Sequence, residues 1–72
     1  MKYNKPTDQE LVYLASIRTQ KRYSSNDREV MFGTYNRIFN QSKRPTSCGT
    51  CVAQVHRDLM KVYNLEKNGD NG

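Results

Sequence analysis

The run Thr46–Tyr63, TSCGTCVAQVHRDLMKVY, constrains the fold more than any other stretch. Wound as a helix, it places Cys48, Cys51, Val52, Val55, Leu59, Val62 and Tyr63 on one stripe, since they recur at i, i+3, i+4 and i+7. Thr50, Gln54, Arg57 and Lys61 fall on the opposite face. A Thr46 or Ser47 hydroxyl can accept a backbone N–H one turn in, which caps the start. Pro45 lies just upstream, where it costs no helix hydrogen bond. The spacing predicts a helix over about 47–65.

Two further helices are legible. Thr7-Asp8-Gln9-Glu10 has the form of a capping box, in which the hydroxyl and the carboxylate each take one otherwise unpaired N–H. The helix it opens is expected to run to about Lys21, with Leu11, Leu14, Ala15 and Ile17 inward and Arg18, Lys21 and Arg22 around its last turn. Ser25 or Asn26 is the expected cap of the second helix, with Asp27 and Glu29 in its first turn. Met31, Thr34, Tyr35, Ile38 and Phe39 line its apolar face, Phe32 lies at the margin, and Gly33 is nearly opposite. A glycine inside a helix costs about 1 kcal/mol against alanine. It marks either a close approach of another backbone or a tolerated surface position.

The expectation is one all-α domain over 1–72: a three-helix packet (about 7–21, 26–40 and 47–65), antiparallel or orthogonal. An extended N-terminal arm, Met1–Pro6, precedes it, and a disordered tail, Asn68–Gly72, follows. The core is drawn from Leu11, Leu14, Ile17, Met31, Tyr35, Ile38, Phe39, Val52, Val55, Leu59, Val62 and Tyr63. A chain of 72 residues buries a modest fraction of its surface. It gains from a partner, a ligand or its own copies.

The net charge of +5 and pI near 9.5 suit an anionic partner, nucleic acid or an acidic protein surface. A charge of that size also keeps a small domain soluble. No apolar run approaches a membrane span, and MKYNKPTDQE has no apolar signal region. The expected compartment is the reducing cytoplasm, where cysteines rest as thiols.

Cys48 and Cys51 form a C-x-x-C at a helix start. Three readings compete. A redox pair is geometrically allowed and a helix start favours the thiolate, but no strand precedes it as in thioredoxin-type frameworks. A zinc site would take Cys48, Cys51 and His56, one ligand short of four. The third reading has both sulfurs inside, filling the core beside Val52, Val55 and Leu59, since free cysteine behaves as a small hydrophobe. That one is the expectation. No phosphate-binding glycine loop, Ser–His–Asp pattern or carboxylate cluster is present, so the chain reads as a non-enzyme without a cofactor.

The binding surface is expected among Lys2, Tyr3, Lys5, Arg18, Lys21, Arg22, Lys43, Arg44, Thr50, Gln54, Arg57 and Lys61. One version is a helix-turn-helix of the second and third helices. There Gln54 and Arg57 read bases and Arg18, Lys21, Arg22, Lys43 and Arg44 contact phosphates. The connection after Asn40 is long for such a turn, and Asp58 beside the reading face repels phosphate. The other version is an adaptor on a larger protein, for which Tyr3, Tyr13, Tyr23 and Phe32 are aromatics that three amphipathic helices leave over.

Tyr35-Asn36-x-Ile38-Phe39-Asn40, then Ser47-Cys48-Gly49-x-Cys51-Val52 and a basic amphipathic helix, resembles small orphan proteins of tailed bacteriophages, notably Bacteroides-infecting and crAss-like phages. The resemblance covers residues 35–63 and carries over no functional residue. It implies a viral protein made in the bacterial cytoplasm. The expected roles are a capsid or portal-vertex accessory piece, ending in the virion, or an adaptor on a host protein.

Overall fold

A computed structural model describes residues 2–68. Three helices follow in order: α1 (Asp8–Ile17), α2 (Ser25–Phe39) and α3 (Gly49–Asn68), with no strand among the described residues. The all-α, three-helix expectation holds. Asn68 belongs to α3, and the rest of the expected tail, 69–72, lies outside the described residues.

α3 packs against both other helices. Its stripe supplies Val52, Val55, Leu59, Val62 and Tyr63 to the core, facing Leu14 and Ile17 of α1 and Met31, Phe32, Tyr35 and Ile38 of α2. Leu11 and Phe39, expected in the core, are half-buried at its edge. Phe32, expected at the margin, is one of its largest fully buried side chains.

The helix starts repeat one device. Thr7 Oγ1 accepts from the Glu10 N–H at 3.1 Å, while the Glu10 carboxylate accepts from the Thr7 N–H at 2.9 Å. α2 is capped by Ser24, one residue before the expected Ser25 or Asn26. Ser24 Oγ accepts from the Asp27 N–H at 3.1 Å and the Asp27 carboxylate accepts from Ser24 at 3.0 Å. Asp27 therefore completes a reciprocal pair as well as placing charge in the first turn.

α1 ends at Ile17, a turn short of Lys21, and its last turn holds no basic residue. Gln20 explains the early stop. Its N–H donates to the Ile17 carbonyl at 3.1 Å, and its side-chain amide donates to the Arg22 carbonyl at 2.7 Å. The Tyr23 hydroxyl donates back to the Gln20 carbonyl at 2.7 Å. These bonds turn the chain instead of extending the helix.

The expected extended arm is pinned at residues 3–6. The Asn4 N–H donates to the Ile38 carbonyl at 2.6 Å, its amide donates to the Arg37 carbonyl at 2.8 Å, and Pro6 is buried. Tyr3 lies 6.3 Å from the Phe39 ring and donates to Glu66 at 2.7 Å. Arg37 donates to the Lys5 carbonyl at 3.0 Å and pairs with Glu10.

These contacts fix the topology. Tyr3 joins the end of α2 to the end of α3, while Pro45, Thr46 and Ser47, just before α3, lie with Ser25, Arg28 and Glu29 at the start of α2. α2 and α3 therefore run in the same sense. α1 runs against both, since Glu10 near its start meets Arg37 near the end of α2. Residues 40–48 are long enough to return: they reach up to about 30 Å extended, against about 22 Å for α2. Asn40 starts the return in the left-handed conformation, φ 53°, which asparagine tolerates. Asn36 then clasps the returning strand of chain, its side chain bonding the Lys43 N–H at 3.0 Å and carbonyl at 2.8 Å. The expected antiparallel or orthogonal packing is thus right for α1 and is corrected for α2 with α3.

Candidate functional site

The start of α3 departs most from expectation. Thr46 Oγ1 accepts from the Cys48 N–H at 3.2 Å, and so lies outside the helix. The Cys48 carbonyl accepts the Val52 N–H at 3.0 Å, which makes Cys48 the cap. Its Sγ accepts from the Cys51 N–H at 3.3 Å. Both cysteines are exposed free thiols, which overturns the expectation that they fill the core. α1 ends level with His56, and of the first turn of α3 only Val52 is buried.

The pair is electrically unequal. The Cys51 thiol and the Cys51 N–H, both donating to it, hold the Cys48 thiol below its ordinary value. Cys51 is pushed up by its bond to Cys48, partly offset by the Lys43 ammonium.

His56 does not join them. Its Nε2–H donates to the Ile17 carbonyl at 2.9 Å, and its ring tilts against Tyr23 at 6.1 Å. It closes the end of α1 onto α3. Among the described residues no three metal-ligating side chains stand together, so the Cys48, Cys51 and His56 zinc set is not assembled.

Beside α3 runs an open groove of about 770 Å³, walled by α3 and by the turn from α1 into α2. Val52, Ala53, Met60 and Tyr23 supply its apolar surface, and Lys21, Arg28, Arg57 and Lys61 its charge. Among the described residues no carboxylate lines it, and none of the four cations is ion-paired.

Of the expected binding residues, Lys21, Arg57 and Lys61 meet in this groove. Arg18 and Arg22 are exposed in the neighbouring turn. Thr50 and Gln54 lie outside it, and the Gln54 amide donates to Asp58 at 3.1 Å. Lys43 sits over the Tyr35 ring at 5.8 Å, and Arg44 is exposed. Lys2 and Lys5 are exposed on the arm at the opposite end of α2, and Tyr3 is engaged by Glu66. Arg28 was missed. It donates to the Tyr23 carbonyl at 2.8 Å, which orients it to the groove. A cation in the first turns of a helix is ill-placed for the helix itself, and that misfit was the available signal.

The aromatics left over by the sequence reading are absorbed. Phe32 is buried, and Tyr3, Tyr13 and Tyr23 pack against the core. No described helix is long and apolar enough to cross a membrane. No protein-family model, curated protein or solved structure matches the chain.

Proposed function

We propose that this chain is a small non-catalytic binding protein whose groove receives an acidic segment of a larger protein. The carrying observation is the groove lining: Lys21, Arg28, Arg57 and Lys61 around Val52, Ala53 and Met60, with no carboxylate among the described residues. Cations beside an apolar floor complement a peptide that alternates carboxylates with apolar side chains. Phe32, Tyr3 and Tyr13 pack into or against the core while Tyr23 lines this groove, which favours the groove as the binding surface. The phage resemblance supports a partner in a capsid or portal vertex, or a host protein in the bacterial cytoplasm.

Nucleic acid is the second reading, favoured by the same cations. Against it, Gln54 is tied to Asp58, and that carboxylate stands on the face a base reader would use. The same-sense packing of α2 and α3 also departs from the helix-turn-helix angle.

The test is fluorescence anisotropy with a labelled peptide alternating glutamate and leucine, beside a labelled DNA duplex, each at two salt concentrations. Peptide binding that R57E with K61E abolishes supports the proposal. Tighter binding to the duplex, strengthening steeply as salt falls, or no binding to the peptide, overturns it.

A further inference from the structure

We propose that Cys48 and Cys51 form a reversible dithiol–disulfide switch built into the cap of α3, oxidised by small-molecule disulfides. The inference stands on the thiol pair and is independent of what fills the groove. Every described helix start carries a residue whose side chain accepts the N–H three positions on: Thr7, Ser24 and Cys48. In the third case the acceptor is sulfur, and the residue three positions on carries a second sulfur. Serine and threonine are preferred caps, and a thiol is a weaker acceptor than a hydroxyl. Cysteine at this place is therefore poor as a structural choice and apt as a chemical one.

Three features make the pair competent. Both thiols are exposed, so an oxidant in solution reaches them. Side chains three apart on a helix have Cβ atoms about 5–6 Å apart, and a disulfide needs roughly 3.8 Å. The cap residue is only half in the helix, its carbonyl in the ladder but its backbone dihedrals not helical, so it can shift to make up the difference. The two sulfurs are also unequal. Cys48 is stabilised as thiolate by donors from Cys51, whereas Cys51 is held as the thiol. This assigns attack to Cys48 and resolution to Cys51.

The chemistry balances. The Cys48 thiolate attacks one sulfur of a disulfide RSSR, forming a mixed disulfide and releasing RS⁻. Cys51 gives up its proton and attacks the Cys48 sulfur, closing the Cys48–Cys51 bond and releasing a second RS⁻. The dithiol loses two electrons and two protons, and RSSR becomes two RSH. Oxidation ties the Cys48 sulfur that accepts the Cys51 N–H into a disulfide, where it is a weaker acceptor, so the start of α3 is less well held in the oxidised chain. Ser47 and Gly49, on either side of Cys48, line the groove, which puts the switch at its rim.

The full chain is equilibrated with mixtures of reduced and oxidised glutathione, quenched with an alkylating agent and weighed by mass spectrometry. The expected species is lighter by two hydrogens, refuses the alkylator and reverts with reductant. C48S and C51S should each stop at the glutathione adduct. C48S keeps a hydroxyl cap, so its fold is preserved. At neutral pH, Cys48 in C51S should alkylate faster than Cys51 in C48S, because the backbone N–H at position 51 still donates to the Cys48 sulfur and favours its thiolate. Wild-type protein that yields only glutathione adducts or unreacted thiols overturns the switch. Equal alkylation rates in the two variants overturn the assignment of attacker and resolver.

Discussion

The Tyr3 hydroxyl donates to the Glu66 carboxylate at 2.7 Å, joining the arm to the last turns of α3. The ring also packs on Phe39. Tyr3→Phe keeps the packing and loses the bond. Urea unfolding should show a loss of about 1 kcal/mol, the usual net worth of one hydrogen bond. Tyr3→Ala should lose more, because the ring goes too. Equal effects would mean that the ring contributes nothing.

Glu10 takes two bonds from Arg37, Nε reaching Oε2 at 2.6 Å, while also closing the Thr7 box. The Arg37 guanidinium is the main influence holding the Glu10 carboxyl below its usual range, with Thr7 helping. Asp27 is likewise lowered, chiefly by the Ser24 N–H. A carboxyl lowered on folding binds its proton less tightly in the folded chain. Its contribution is complete above the unfolded value and is lost as pH falls through the folded one. Stability should therefore drop as the solution is acidified below about pH 4.5, and E10Q should flatten the drop. Because Arg37 is half-exposed, a double-mutant cycle between E10Q and R37Q should give only about 0.5–1 kcal/mol.

Gly33 sits inside α2, exposed and at negative φ, and a Cβ built there meets nothing within 4 Å. The close-approach reading of this glycine is thereby removed. Gly33→Ala should raise stability by about 0.5–1 kcal/mol, by restricting the unfolded chain and favouring the helix. Thermal unfolding of the two proteins side by side checks it. A destabilised variant would point to a contact with a second molecule at that face.

The Tyr13 hydroxyl is shielded and finds no hydrogen-bond partner among the described residues. Burial, with the nearby Asp27 charge, pushes Tyr13 up to about 12. A group raised on folding contributes while pH stays below its unfolded value, near 10, and loses that contribution as pH climbs through the folded value. Stability should thus fall between pH 10 and 12. Tyr13→Phe should be neutral or gain up to about 1 kcal/mol at pH 7, since no bond is broken, and should soften the alkaline fall. Tyrosinate absorbance during the titration reads both.

The sequence made the helix faces plain because apolar periodicity is strong in α3, and the Thr7–Glu10 box was readable because both halves are of the standard types. Cys48 was missed as a cap because hydroxyls stood at Thr46 and Ser47, and cap preference ranks them above sulfur. The cysteines were placed inward because they share the stripe's spacing with Val52 and Val55, but spacing does not tell whether a neighbour covers that end of the helix. The sense of α3 was hidden for a related reason: the length of residues 40–48 was visible, but the Asn36–Lys43 clasp that turns length into a return path depends on tertiary contact. The groove was half legible. Lys21, Arg57 and Lys61 were named from charge, whereas Arg28 needed the Tyr23 carbonyl to aim it.

Since α2 and α3 point the same way, their peptide dipoles add. Each leaves roughly half a positive charge at its start, and the shorter, opposed α1 cancels part of the sum. The pole that carries the beginnings of both longer helices thus owes some of its potential to the backbone itself. Replacing every lysine there would leave that portion standing, so an anion should still sense which end of the molecule it has met.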